Sequence, residues 1–493
     1  MSGFPWLLLG LLGCSESPDP SKSSNKHRPS DTGTSRSDSG GTDSATPDSG
    51  DTDTDTPDTA EPSSGKPPNI VVILLDDFGR DKVGAYAAHP APPPTPNIDA
   101  LAVRGLRFNN AYSSPTCSPS RSAILTGRLP SRTGIGNAIP PLDTDYDLPQ
   151  EEVTIPEAFR AADRGYTSVV VGKWHLGTMD RPDPGLHPLQ QGFDHHWGPY
   201  ANPKNSISDI SETLDYTYWE KNVDGVLSFE TTYLTTDTTN DAIHHLETME
   251  PPWFLYVAYN APHGPFHTPP AELFSGDLGA SPSDEEQYDA MVQALDTELG
   301  RLFAAIPDDT TIILAGDNGT PTEATANPWD STRAKGTLYE GGVNIPFIVA
   351  SPLVTDPGGT RDALVHLTDV FSTALDLADA DPGPQPLDGQ SLVPILSDPS
   401  YEGRTYLYAE AFSENGAPPY DVHDRMIRDA QYKYMRFTTF GATHEALFYL
   451  DPDAMDEGEN LLIGTPEGEI ADVYERLQAE LTRAEDSLTY DYE

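Results

Sequence analysis

Two pairs of hard oxygen donors stand at the ends of two hydrophobic runs. Asn69-Ile70-Val71-Val72-Ile73-Leu74-Leu75 runs into Asp76-Asp77, and Thr311-Ile312-Ile313-Leu314-Ala315-Gly316 runs into Asp317-Asn318-Gly319. Carboxylates joined by an amide carbonyl suit Ca²⁺ or Mg²⁺, whereas Zn²⁺ draws on His or Cys. Either pair alone also reads as a cap or a turn, since Asp-Asp-x-Gly and Asp-Asn-Gly are ordinary turn sequences. Both pairs ending buried strands, in one chain with the cysteine segment below, favour the metal reading. Asp77-Phe78-Gly79 also spells a kinase tripeptide, but no Gly-rich loop, strand Lys with partner Glu, or His-Arg-Asp loop accompanies it.

The chain has only two cysteines, Cys14 and Cys117. Cys117 opens the run Cys117-Ser118-Pro119-Ser120-Arg121, which leads through Ser122-Ala123-Ile124 to Leu125-Thr126-Gly127-Arg128. A third apolar run, Ser168-Val169-Val170-Val171, ends in Gly172-Lys173-Trp174-His175. A fourth, Trp253-Phe254-Leu255-Tyr256-Val257-Ala258, leads into Asn260-Ala261-Pro262-His263. Lys173 and His175 are two apart on an extended stretch, a spacing that points both to one side. Lys335 precedes Glu340-Gly341-Gly342. Single His and Lys residues are usually satisfied surface groups, and His195-His196 and His244-His245 read that way.

The elements that must position these groups follow from the pattern. Continuous β-branched runs are the mark of strands buried on both faces of a parallel sheet. Helical patterns lie between them, such as Thr154 to Ala162 and the amphipathic stretch Glu286 to Ala305. Alternating strands and helices predict an α/β fold with a large, mostly parallel mixed sheet. Ligands of such sheets sit beyond the carboxyl ends of the strands, where all four runs deliver polar residues. After about residue 400 the character changes. Arg404 to Glu410, Gln431 to Phe437 and Ala446 to Asp451 alternate as in an antiparallel sheet, followed by a helix from about Gly468 to Ser487. The expected division is a catalytic domain over 67–400 and a small C-terminal antiparallel α+β subdomain over 401–493.

The Cys117–Arg128 segment resembles the signature of the formylglycine-dependent sulfatase family, within the alkaline phosphatase superfamily. Gly172 to Gly177 (Gly-Lys-Trp-His-Leu-Gly) matches a second family motif. Thr95-Pro96-Asn97-Ile98-Asp99, Gln191-Gly192-Phe193-Asp194 and Glu340-Gly341-Gly342-Val343 extend the likeness over about 68–460. The layout is most similar to arylsulfatase A/B-type members. One departure is Asn344, where many members carry an Arg with a structural role.

The resemblance implies an alkaline phosphatase-like fold and sulfate ester hydrolysis. It implies that Cys117 is oxidised to formylglycine by a maturing enzyme, and that Asp76, Asp77, Asp317 and Asn318 hold calcium against residue 117. Arg121 then holds the aldehyde hydrate, Lys173 and Lys335 grip sulfate oxygens, His263 with Lys335 is the candidate acid, and His175 the candidate base. The chemistry explains the set. Dispersed negative charge on a sulfuryl group is held by cations, and the leaving alcohol takes a proton. A thiol adduct of sulfate is difficult to resolve. An aldehyde hydrate attacks through one hydroxyl, and deprotonation of the other expels sulfate.

Composition bounds the rest. Two cysteines in 493 residues build no disulfide scaffold, so the fold depends on a large core. A formal charge of −49 excludes nucleic acid as a partner. It reads as an acidic surface suited to a saline or extracellular setting, or as a bar to highly sulfated polymers. Residues 1–14 resemble a bacterial lipoprotein signal, with an apolar run too short to span a bilayer. Leu11-Leu12-Gly13-Cys14 resembles a lipobox that ends on a lipidated Cys14, although no Lys or Arg precedes the run. Ser15 favours the outer membrane of a Gram-negative host. Residues 15–66 are rich in Ser, Thr, Asp and Pro, a composition that stays disordered. As a coil such a linker spans roughly 40 Å, a tether between membrane and catalytic body. Two rival readings remain: a phosphomonoester or phosphonate monoester hydrolase of the same superfamily, and a lipoprotein that binds sulfated ligands without turnover.

Overall fold

The computed structural model describes residues 66–142, 146–208, 214–451 and 456–492. The expectations for the signal segment, Cys14 and all of the linker before Lys66 lie outside these residues. Fourteen strands fall into two sheets among the described residues. The larger holds β1 (Ile70–Leu75), β2 (Leu106–Tyr112), β3 (Thr167–Gly172), β4 (His195–Gly198), β5 (Trp219–Val223), β6 (Val226–Glu230), β7 (Trp253–Tyr259), β8 (Thr311–Gly316), β9 (Phe347–Ala350) and β10 (Thr360–His366). Its order is β10-β2-β9-β8-β1-β7-β3-β4-β5-β6. The four runs singled out by sequence are neighbours at its centre, β8-β1-β7-β3, and all pair in parallel. The pairs β8–β9, β2–β9, β4–β5 and β5–β6 are antiparallel.

A continuous apolar run works here because β1 feeds two cores. Ile70, Val72 and Leu74 join one hydrophobic cluster, while Val71, Ile73 and Leu75 join the cluster on the other face. Every residue of β1 is fully buried. Helices cover both faces. The longest, Asp284–Ala305, opens with Ser283 and Glu286 in a reciprocal capping box, which satisfies two of the otherwise orphaned backbone N–H groups. No described helix is long and apolar enough to cross a membrane.

The second sheet is antiparallel, with β11 (Leu407–Ser413), β12 (Val422–Arg428), β13 (Tyr432–Thr439) and β14 (Ala442–Tyr449) in sequential order. The helix Glu469–Ser487 buries Val473, Leu477 and Leu481 against it. A buried cluster of Lys433, Glu340 and Glu457 fastens this sheet to the segment before β9: Lys433 Nζ lies 3.0 Å from Glu340 and 2.8 Å from Glu457. Strand β12 has no forecast in the sequence: its first four residues, Val422-His423-Asp424-Arg425, carry a single apolar side chain. Its Met426 and Ile427 nonetheless fill the cores on either side of the sheet.

Candidate active site

Six segments meet at the carboxyl edge of the central strands. Asp76 and Asp77 leave β1, and Asp317 and Asn318 leave β8, the strand beside it. His263 follows β7 on the other side of β1, and Lys173 and His175 follow β3. Cys117 opens the helix Cys117–Thr126 that follows β2, and Lys335 comes from the loop between β8 and β9. Cys117 thus sits at the positive end of a helix dipole, in its first turn. The helix is terminated by Gly127 in the left-handed conformation, φ 69°.

Ligand atoms of Asp76, Asp77, Cys117 and His263 all lie within 4.8 Å of one another. Cys117 Sγ is 3.3 Å from Asp76 Oδ1 and 4.0 Å from Asp77 Oδ1. Asp317 stands against this group: its Oδ1 accepts from the Asp77 backbone N–H at 2.9 Å and its Oδ2 from Arg121 Nη2 at 2.8 Å. Arg121 also reaches within 3.7 Å of Asp76 Oδ1 and donates to the Lys173 carbonyl at 2.9 Å. Lys173 Nζ donates to Asp76 Oδ2, and Lys335 Nζ pairs with Asp77. His263 Nε2 lies 3.7 Å from Asp77 Oδ2. These contacts, with the Asn318 Nδ2 bond to Asp77, join nine of the ten non-lipid site residues expected from sequence; the tenth, His175, is buried two residues after Lys173, and of the ten only His263 (19 %) and Lys335 (22 %) are open to solvent.

The electrostatics favour a hard cation. Burial pushes Asp76 up, but Lys173, His263, Arg121 and Lys335 outweigh it and hold the carboxyl well below its usual range. Burial and the neighbouring Asp76 push Asp317 up to about 7, against Arg121 and Lys173. Crowded carboxylates cannot all ionise comfortably without a further positive charge. Asn318 Oδ1 is buried and has no hydrogen-bond partner, while its Nδ2 donates to Asp77 Oδ1 at 2.9 Å. Three buried carboxylates with a spare amide oxygen fit Ca²⁺ or Mg²⁺. Burial and Asp76 push the Cys117 thiol far above its ordinary value, so an unmodified Cys117 is a neutral, weak nucleophile here. His175 is held well below its usual range by burial and then by Lys173 and Arg121; burial also lowers His263, against the opposing pull of Asp77.

The backbone is bent to make this cluster. Asp77 has φ 62° and His175 has φ 58°, left-handed values that β-carbon sterics disfavour and that persist only where surroundings enforce them. The expected extended stretch from Lys173 to His175 is thus broken at His175. Gly172, with φ 94°, begins the bend; a Cβ there would meet the Ala258 carbonyl oxygen at 2.1 Å. The site also relies on residues outside the motifs. Tyr288 Oη donates to the Asp77 carbonyl at 2.6 Å, and Tyr216 Oη lies 2.8 and 2.7 Å from the carbonyls of Asn260 and His263. Ser118 Oγ donates to the His175 carbonyl at 2.8 Å.

Tyr200, Tyr216 and Trp219 are buried in the core, while Tyr218 is 40 % exposed and stacks on Phe229. His196 and His245 are buried, contrary to a surface reading. His196 bonds to the Gly172 carbonyl and to Asn222, and His245 packs on Trp197. At the departure point, Asn344 Nδ2 donates to Glu340 Oε2 at 2.8 Å.

Comparison with known proteins gives the arrangement its context. The family model "Sulfatase" matches residues 68–380, and "N-sulphoglucosamine sulphohydrolase, C-terminal" matches 332–487. N-acetylgalactosamine-6-sulfatase of Canis lupus familiaris is 32% identical over 374 residues, 70% of this chain and 68% of that protein. The pig enzyme of the same name matches over 66% of its length, so the chain spans about two thirds of these relatives. Human arylsulfatase A is 32% identical over 411 residues, 77% of this chain and 76% of the relative. Among solved structures, the PsFucS1 sulfatase from Pseudoalteromonas sp. superposes with a TM-score of 0.65 at 25% identity, covering 86% of this chain and 92% of that one.

Proposed function

This chain belongs to the sulfatase family, and from that membership we propose that it hydrolyses sulfate monoesters of a carbohydrate or aryl alcohol, using formylglycine at position 117 and a bound calcium ion. The observation that carries the reading is the convergence of Asp76, Asp77, Cys117 and His263 within 4.8 Å, flanked by three cationic side chains. The substrate class rests on relatives whose names specify a sulfated amino sugar and aryl sulfates.

Asp76, Asp77, Asp317 and Asn318 would hold the calcium, which when bound supplies positive charge for sulfuryl oxygens and for the side chain at 117. Oxidation of Cys117 by a maturing enzyme would replace the weak thiol with an aldehyde hydrate, an oxygen nucleophile. The chain's own residues do the rest. Lys173 and Lys335 bind the sulfate oxygens and stabilise the charge that develops on them. Arg121, anchored by Asp317, orients the side chain at 117 from the same helix. His263 stands at the open side of the cluster, where a leaving alcohol departs, and Nε2 delivers the proton it takes. His175 lies on the closed side and accepts the proton released as sulfate is expelled.

The test is to produce the protein with and without a maturing enzyme, weigh the Cys117 peptide, and compare 4-nitrophenyl sulfate with 4-nitrophenyl phosphate. Hydrolysis of the sulfate in proportion to converted Cys117 supports the proposal. A fully converted, calcium-loaded protein that cleaves no sulfate ester ends it. Export and anchoring through Cys14 belong to the same reading, on the strength of the Leu11–Cys14 run. Metabolic labelling with palmitate that persists in a Cys14→Ser variant would reject the anchor.

A further inference from the structure

Ser118 directly follows Cys117; it is fully buried, and its hydroxyl is used twice. It donates to the His175 carbonyl at 2.8 Å and accepts the Ile139 backbone N–H at 2.9 Å. Ile139 in turn presents its own carbonyl to His175 Nε2 at 3.2 Å. A carbonyl only accepts, so Nε2 carries the hydrogen and the lone pair of the neutral ring lies on Nδ1. That Nδ1 is buried and has no hydrogen-bond partner. The His175 backbone N–H is fixed separately, by the Tyr200 carbonyl at 2.8 Å.

We propose that Ser118 is a positioning residue that locks His175 to the helix carrying Cys117 and, through Ile139, fixes the ring as the Nε2–H tautomer with Nδ1 free to accept a proton. The proposal rests on the sulfatase reading, in which His175 is the base. Three segments meet at one hydroxyl: the first turn of the Cys117 helix, the bend after β3, and the loop around Ile139. A left-handed backbone at a bulky residue persists only when over-determined, and the bonds to Ser118, Ile139 and Tyr200 supply that determination. Ser118 touches no reacting atom. Its hydroxyl ties the residue beside Cys117 to the His175 backbone.

The test compares Ser118→Ala with the isosteric pair Ser118→Thr and Ser118→Val, which differ from each other only in the hydroxyl, at equal conversion of Cys117 as measured by peptide mass. His175 acts after the alcohol has departed, so a loss confined to it lowers kcat and KM together and preserves kcat/KM. Ser118→Ala and Ser118→Val should lower kcat about 10²-fold, the scale of a misplaced catalytic group, and Ser118→Thr should restore it. General damage to the fold would instead lower kcat/KM, and that outcome overturns the proposal, as does a Ser118→Val variant equal to Ser118→Thr. A crystal structure of either hydroxyl-free variant gives a readout independent of turnover. His175 should leave φ near 58° or lose its bond to Ile139; an unchanged His175 refutes the clamp even if the protein proves not to be a sulfatase. The sulfatase reading fails separately, if converted wild-type protein hydrolyses no sulfate ester.

Discussion

Lys173 Nζ lies 2.6 Å from Asp76 Oδ2, and neither side chain is exposed to solvent. The pair spans the sheet: Asp76 leaves β1, Lys173 leaves β3, and β7 runs between them. A lysine proposed to hold sulfate is thereby stored against a carboxylate proposed to hold calcium. Lys173→Met removes the closest cation and leaves Arg121, at 3.7 Å, as the near partner of Asp76. In the presence of a chelator this should cost about 3 kcal/mol, because a buried carboxylate has lost its nearest cation. Loss of the sulfate contact should lower kcat about 10²–10³-fold. Urea unfolding in EDTA and initial rates on an aryl sulfate measure the two effects; an unchanged rate would remove Lys173 from the site.

Calcium should stabilise the folded chain. At a hundredfold excess over its Kd the gain is about 2.7 kcal/mol. The difference between melting in calcium and melting in EGTA should vanish in Asp317→Ala, which removes a carboxylate from the crowded group. A calcium-dependent shift of full size in that variant would place the ion elsewhere.

Acid should weaken the fold through three buried histidines. Burial lowers His196 to about 4 and His245 to about 4, the latter aided by His195 and His244; burial and Arg404 lower His366 to about 3. These rings stay neutral in the native state, while the unfolded chain takes up protons near pH 6.5. Their contribution is therefore complete above pH 6.5 and is lost as pH falls towards 4. For His196 alone this is about 3 kcal/mol. Unfolding free energy measured from pH 7.5 to 4.5 should fall steadily, and His196→Gln should flatten the slope.

The cluster that fastens the second sheet should matter for stability rather than chemistry. Lys433→Ala leaves Glu340 and Glu457 without a shared cation in a buried setting, at a cost of about 3–5 kcal/mol. The rate per folded molecule should be kept, because Lys433 contacts none of the catalytic groups. A large fall in kcat with an unshifted melting point would contradict this.

The parallel core was legible because both faces of β1, β3, β7 and β8 are buried, which leaves an uninterrupted β-branched signal. Strand β12 was not, since Asp424 and Arg425 lie on a sheet whose rim faces solvent and only two of its apolar residues point into cores. The hairpin β5–β6 escaped for a similar reason: Val226, Leu227, Ser228 and Phe229 are exposed or half-exposed, and nothing on a solvated edge demands a clean alternation. His196 and His245 looked like surface residues because burial of a ring depends on what another segment, here Asn222 or Trp197, brings to it.

The residue types at the centre were written in the chain itself. Oxygen donors after two buried strands, a cysteine in a specific run and cations after two more strands define which atoms are available. Distance was not written there. Asp76 and Asp317 are separated by about 240 residues, and they meet because β1 and β8 pair in register from Ile70–Thr311 to Leu75–Gly316. The left-handed turns at Asp77 and His175, the tautomer of His175 and the work of Ser118 were decided only by tertiary structure. They depend on carbonyls from distant segments, such as those of Ile139 and Tyr200, and a hydrogen bond to a distant backbone leaves no trace in the local pattern of side chains.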